Sequence, residues 1–136
     1  MNKTVIRLVG AALVVALVLA ATSMEQNLHI ASAIVIGLPS FVLMLISRHQ
    51  LGKSFSIMPA AKTLVTSGLY AKIMHPMYFF LDLFLAAVII VLDWPILLVA
   101  WAILVISQLL QTRREEKVLA KAFGADFEKY QSRTWF

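Results

Sequence analysis

The apolar residues of this chain form four long runs, each ended by a short polar stretch. Their approximate bounds are residues 5–24, 28–47, 77–92 and 94–123. Each run approaches the roughly 20 residues that an α-helix needs to cross a bilayer. The pattern therefore predicts an all-α fold, a polytopic membrane helical bundle with four transmembrane helices. Gly37 and Pro39 predict a kink in the second helix.

The four helices and the polar stretches between them are predicted to form a single domain over residues 1–136. Residues 48–76 form a loop between the second and third helices. Gly124 is expected to end the fourth helix. The tail that follows it, ADFEKYQSRTWF, is aromatic, basic and amphipathic. Such a segment favours the membrane interface, so we expect a C-terminal interfacial helix with Phe127 and Tyr130 on one face.

Composition supports a membrane protein and excludes other classes. Hydrophobic residues make up 61% of the chain and charged residues 14%, whereas an average soluble domain is about a quarter charged. The chain has no cysteine, so disulfides and thiolate metal sites are excluded. The three histidines lie far apart in the sequence, and we expect no metal site.

The chain has a net charge of +5. Because the basic residues are distributed as in a membrane protein, we expect no nucleic-acid partner. All 12 Lys and Arg residues lie at the start of the first run, between the second and third runs, or after the core of the fourth. The two opposite loops carry Glu25 and Asp93. The positive-inside rule then places both termini and the central loop in the cytoplasm, facing the inner or plasma membrane if the source is bacterial. The first run also fits a cleavable signal peptide, and that alternative stays open.

The last two helices are predicted to form a tight antiparallel hairpin, because only residues 93–95 separate them. Asp93 can cap a helix, and Pro95 suits a first helical turn. Folding the chain about this turn pairs positions whose numbers add up to about 187. His75 would then lie near Thr112 at the cytoplasmic surface.

Polar residues share one face of each hairpin helix. His75, Tyr78 and Asp82 follow i, i+3, i+7 spacing, and the partner helix carries a matching stripe of Gln108, Gln111, Thr112 and Glu115. Polar stripes on adjacent membrane helices should face each other rather than lipid. An ionisable residue inside the membrane, such as Asp82, is a candidate for function. A seam that only holds the two helices together is an equally open interpretation.

Two stretches resemble a known family. LVTSGLYAKIMHPMY and the later EEKVLAKAFGADFEKY are similar to segments of the isoprenylcysteine carboxyl methyltransferase family, which is related to the phospholipid methyltransferases. The resemblance rests on the ordered set of these elements, including His75-Pro76-x-Tyr78 and the Glu115-Glu116 pair. It covers about residues 51–130.

The resemblance implies a methyltransferase that uses S-adenosyl-L-methionine at the cytoplasmic end of the helices. Its acceptor would be a lipophilic or prenylated small molecule in the lipid bilayer. The cofactor-binding residues implied by motif position are Lys62, Thr63, Leu64, Val65, Tyr70, His75, Pro76, Met77, Tyr78 and Glu115. Candidate catalytic residues are Gln111, Arg114 and Asp82.

Three positions depart from the family pattern. Met74 stands where the family has an arginine, Phe80 where it often has a small residue, and Gln111 where an arginine is thought to contact substrate. The interpretation therefore keeps three alternatives: a phospholipid N-methyltransferase, a non-catalytic membrane scaffold or sensor with the same fold, and a membrane reductase that binds a nicotinamide cofactor. The sequence specifies neither the acceptor nor the oligomeric state.

Overall fold

A computed structural model describes residues 3–23, 28–52 and 63–135, and these residues form helices, turns and connecting segments without a β-strand. The helices are α1 (Lys3–Ser23), α2 (Leu28–Leu51), α3 (Pro76–Leu92), α4 (Ile96–Phe123) and α5 (Ala125–Gln131). A 3₁₀ turn, Gly68–Ala71, lies in the connection before α3. Each of the four apolar runs is one helix, so the all-α prediction is confirmed.

Two of the described helices have both the length and the apolar composition to cross a membrane. They are α2, with 24 residues, and α4, with 28. α3 is equally apolar but has 17 residues. Four membrane spans were predicted, and this criterion supports two of them. α2 continues to Leu51 and runs through Pro39 without interruption.

α2 and α3 pack closely because small residues line their contact. A Cβ atom at Gly37 would lie 3.0 Å from the Cβ of Ala87, so the two backbones approach as near as side chains permit. The Phe41 and Phe84 rings pack beside this point with centroids 5.0 Å apart. Small residues that permit such an approach are the usual basis of helix association in membranes.

The turn between α3 and α4 differs from the prediction. Asp93 ends α3 in the left-handed conformation, with φ 50° and ψ 36°, and its N–H donates to the Ile89 carbonyl at 3.0 Å. Asp tolerates this conformation better than most residues. The prediction that Asp93 caps the start of the next helix is therefore wrong. Pro95 precedes the first residue of α4, Ile96.

The hairpin has the three-residue connection that was predicted, since α3 ends at Leu92 and α4 begins at Ile96. α3 touches α4 much less extensively than it touches α2. Near the turn, Leu92, Trp94 and Ile96 are all exposed. Polar side chains join α3 and α4, among them Tyr78 with Glu115 and Asp82 with Gln108.

The C-terminal tail folds back onto the connection before α3. Phe127 and Tyr130 of α5 are 3% and 7% exposed and pack against Met74. These three residues are called the tail cluster below. The Trp135 N–H donates to the Lys72 carbonyl at 2.8 Å. Phe127 and Tyr130 were predicted to anchor the tail at the interface, but they are buried because Met74 and its neighbours offer an apolar surface within the protein.

Candidate functional site

The His75-Pro76 pair fixes where α3 begins. Proline restricts the residue before it to non-helical backbone and is favoured in a first helical turn. Accordingly, His75 is the residue before the helix and Pro76 is its first residue. Pro76 is fully buried. This arrangement holds the His75 side chain at the N-terminal end of α3, one turn before Tyr78.

Side chains from α3 and α4 meet in a carboxylate cluster, defined here as His75, Tyr78, Gln111, Glu115 and Glu116. The Tyr78 hydroxyl and the Gln111 amide both donate to Glu115 Oε1, at 3.0 and 3.2 Å. His75 Nε2 donates to Glu116 Oε1 at 3.1 Å. His75 Nδ1 lies 3.8 Å from Glu115 Oε2. The sequence predicted that α3 and α4 would bring these motifs together, and they do meet.

The contacts across the hairpin are shifted from the predicted register. The pairs that touch, such as His75 with Glu115 and Tyr78 with Glu115, have numbers that add up to 190 and 193 rather than 187. Side chains on a helix lean towards its N-terminus. In an antiparallel pair, this lean moves each contact to higher numbers on both helices, and the prediction used backbone positions alone.

Two tyrosines lie near Glu115, and the third, Tyr130, lies near Tyr70. Tyr70, in the 3₁₀ turn, is buried, and it lies within electrostatic reach of Tyr130, Glu115, Tyr78 and Arg48. Burial, and then the nearby Tyr130 and Glu115, raise the pKa of Tyr70 above its usual range. The result is a group of aromatic rings around a carboxylate, which is suited to an organic cation.

The connection before α3 is held by the end of α2. The Gln50 side-chain amide accepts a hydrogen bond from the Leu69 N–H at 2.8 Å. Gly68 has φ +65°, and a Cβ there would collide with the Gln50 amide. The backbone conformation favours glycine at this position, and a larger residue would also displace the Gln50 amide.

The other predicted cofactor-binding residues lie around this group. Leu64 packs against the tail cluster. Val65 and Met77 are half-buried, and Thr63 is exposed. Lys62 lies outside the described residues. That these residues contact a ligand remains a prediction.

The three candidate catalytic residues have different surroundings. Gln111 belongs to the carboxylate cluster, whereas Arg114 is exposed. Asp82 lies one turn further into α3 than Tyr78 and forms a hydrogen bond with Gln108 of α4. The contact between α3 and α4 through Tyr78, Asp82, Gln108 and Glu115 is called the seam below.

Sequence reasoning missed Arg48, Gln50, Glu116 and Tyr130 as members or neighbours of the site. Glu116 and Tyr130 stood within the motifs that carry the resemblance, but no role in the site was assigned to them. Arg48 and Gln50 had no such signal, because they belong to the polar end of α2. Only the packing of α2 against α3 brings them to the connection.

A family model described as phospholipid methyltransferase matches residues 27–126, which is more than half of the chain. The chain belongs to this family. The match includes α2, α3, α4 and the whole carboxylate cluster. Family membership identifies a methyltransferase of the membrane phospholipid or isoprenylcysteine type. Comparisons with curated proteins and with solved structures give no significant match.

Proposed function

We propose that this phospholipid methyltransferase family member uses S-adenosyl-L-methionine to methylate a lipophilic acceptor at the cytoplasmic face of a membrane. The observation that carries the proposal is the Tyr78 hydrogen bond to Glu115 beside the first turn of α3, with Tyr70 close to the same carboxylate. The donor supplies a methyl group on a sulfonium cation, and it also bears an ammonium group and a carboxylate. The side chains around Glu115 match these charges.

Glu115 is the residue best suited to the donor's positive groups. Its Oε1 already accepts hydrogen bonds from Tyr78 and Gln111, which orient the carboxylate. His75 Nδ1 lies 3.8 Å from Glu115 Oε2, which is beyond hydrogen-bond distance. Oε2 can therefore accept a hydrogen bond from the donor's ammonium or ribose hydroxyls. Tyrosine faces attract an adjacent sulfonium.

The partial burial of the carboxylate cluster strengthens such interactions. The side chains of His75 and Glu115 are 19% and 21% exposed, so they are partly shielded from water without being sealed from it. A water-soluble donor can enter from the cytoplasm, while the acceptor stays in the bilayer. Methyl transfer requires alignment of donor and acceptor, and holding both at one site supplies much of the rate.

All four long helices are proposed to cross the membrane, with both termini in the cytoplasm. The 17 residues of α3 fall at the short end of the range for a membrane helix. Basic residues flank the cytoplasmic ends of α2 and α4, which is the distribution that the positive-inside rule requires. In this orientation, the carboxylate cluster lies at the cytoplasmic interface.

Calorimetry on the detergent-solubilised protein tests donor binding. S-adenosyl-L-methionine should bind, whereas NADPH should not. Glu115→Ala should weaken donor binding by about ten- to a hundredfold, because a hydrogen bond to a charged group is lost. Glu128→Ala, which removes an exposed glutamate of α5, should leave the affinity unchanged.

Equal donor affinity in the wild type and Glu115→Ala would exclude this site. Binding of NADPH in place of the methionine derivative would instead support a reductase. Donor binding without methylation of any lipid fraction would favour a scaffold or sensor.

A further inference from the structure

Gln50 connects α2 to the segment that carries Tyr70. It is the last but one residue of α2, and its side-chain oxygen accepts the hydrogen bond from the Leu69 N–H at 2.8 Å. The bond joins residues that are 19 positions apart in the sequence. Leu69 directly precedes Tyr70 in the 3₁₀ turn Gly68–Ala71. A change at Gln50 therefore reaches the candidate site through one hydrogen bond to the backbone.

The Leu69 N–H needs an acceptor from outside the turn. The first N–H groups of a helical turn have no partner within it, and the side chain of the residue before the turn usually accepts one of them. That residue is Ser67, whose backbone is extended with φ −116° and ψ 167°, but its side chain makes no capping hydrogen bond. Gln50 supplies the acceptor that Ser67 does not. Gly68 leaves space for this arrangement, because a Cβ there would collide with the Gln50 side chain.

Both peptide groups of Leu69 take part in fixing the turn. Its carbonyl accepts hydrogen bonds from the Lys72 and Ile73 N–H groups, at 3.2 and 3.1 Å. These two bonds close the turn on itself. The bond from its N–H to Gln50 joins the closed turn to α2, which is the helix that packs most closely on α3.

We propose that Gln50 is a positioning residue for the methyl donor, and that it acts by capping the turn that holds Tyr70 beside Glu115. This inference rests on the proposed function, because Tyr70 is one of the residues expected to contact the donor. Tyr70 is 6% exposed, and Glu115 lies within its electrostatic reach. A turn released at Leu69 would let the Tyr70 ring move, and the donor would have to order it again on binding. Ordering a side chain on binding lowers the affinity.

The test replaces Gln50 by methionine and by glutamate. Methionine has a similar length but lacks the oxygen that accepts the Leu69 N–H, whereas glutamate keeps an oxygen acceptor. Hydrogen exchange at Leu69, measured by mass spectrometry with fragmentation to single residues, reports the turn without any ligand. In Gln50→Met, this exchange should be at least about fivefold faster and donor affinity about fivefold lower, as expected for the loss of one hydrogen bond. Gln50→Glu should bring both values to within about twofold of the wild type.

Gln131→Met is the matched control, because Gln131 is an exposed glutamine at the end of another helix, α5. It should change neither the exchange at Leu69 nor the donor affinity, which is measured by calorimetry on folded protein in detergent. A second comparison tests whether Gln50 acts through Tyr70. In a Tyr70→Leu background, where the ring is absent, Gln50→Met should lower donor affinity no further.

Unchanged exchange at Leu69 in Gln50→Met would overturn the cap, and unchanged donor affinity despite faster exchange would overturn the positioning role. A further loss of affinity in the Tyr70→Leu background would also overturn that role, since Gln50 would then act on another part of the protein. The two proposals fail in distinguishable ways. Absence of donor binding by the wild type contradicts the proposed function, whereas exchange at Leu69 tests the cap without any donor.

Discussion

The two sides of α3 make contacts of opposite character. Towards α2, the contact is close and apolar, and Gly37 meets Ala87 with little space between the backbones. The serines on the neighbouring helix are satisfied locally: Ser40 and Ser47 donate to the carbonyls of Ile36 and Leu43. Towards α4, polar and ionisable side chains form hydrogen bonds between the two helices.

The difference is clearest in the buried polar atoms that lack partners. Among the described residues, these side-chain atoms belong to Asp82, Trp101, Gln108 and Tyr130. Each of these residues lies on α3, α4 or the tail, and the α2–α3 contact has no such atom within the described part of the chain. One side of α3 thus satisfies its own polar groups, while the other carries buried polar atoms without a hydrogen-bond partner among the described residues. We interpret α2–α3 as scaffold and α3–α4 as the working face.

The largest expected effect tests the scaffold. Gly37→Leu should lower the stability by about 1–3 kcal/mol or more, because the added side chain must push Ala87 and α3 away. Thermal unfolding in detergent measures this. The folded fraction should still bind the donor with unchanged affinity, since Gly37 is remote from the carboxylate cluster.

Gly10→Leu is the control for a leucine introduced at a helical glycine. A Cβ at Gly10 would meet no other atom within 4 Å, so the midpoint should stay the same or rise slightly with helix propensity. An equal loss in both variants would show that the close α2–α3 contact is not what stabilises the bundle. Partial rescue of Gly37→Leu by Ala87→Gly would locate the strain between these two positions.

Features of the fold that are set by local interactions could be predicted from the sequence, whereas features set by contacts between distant residues could not. Apolar runs and helix ends are local, so the helices and the role of Gly124 as the end of α4 were predictable. The spacing of Tyr78 and Glu115 on their helices also predicted one shared polar face. The register of the contacts between α3 and α4 was mispredicted because the direction of the side chains was not considered. The backbone conformation of Asp93 was mispredicted because it depends on how α3 and α4 meet.

Long-range packing accounts for the remaining differences. The amphipathic pattern of Phe127 and Tyr130 fits a membrane surface and a protein surface equally well, and only the position of Met74 decides between them. Met74 itself was noted as a departure from the family arginine. Its burial at 7% exposure explains why an apolar side chain suits this chain.

A smaller effect on donor affinity is expected when one hydroxyl is removed from either side of α3. Tyr78→Phe keeps the ring but removes the hydrogen bond to Glu115, so Glu115 is held less firmly. Donor affinity should fall about fivefold, which corresponds to about 1 kcal/mol. Ser40→Ala removes a hydroxyl from the scaffold side and should leave donor affinity unchanged. Donor affinity is measured by calorimetry on both variants. An equal loss of affinity in Ser40→Ala and Tyr78→Phe would contradict the assignment of different roles to the two sides of α3.

The smallest effect concerns Tyr130, whose hydroxyl is buried without a partner among the described residues. Tyr130→Phe should raise the stability slightly at pH 8, by up to about 1 kcal/mol, because it removes a hydroxyl that loses its hydrogen bond to water on folding. Burial raises the pKa of Tyr130 to about 12 from 10.0. The stability that its protonated form contributes is complete below pH 10 and is lost as the pH rises towards 12, since the unfolded chain releases the proton first. At pH 11, the advantage of Tyr130→Phe over the wild type should therefore be larger than at pH 8 by about 1 kcal/mol. Thermal midpoints at pH 8 and pH 11 measure this difference, and identical pH dependence in the two proteins would show that the Tyr130 hydroxyl reaches water.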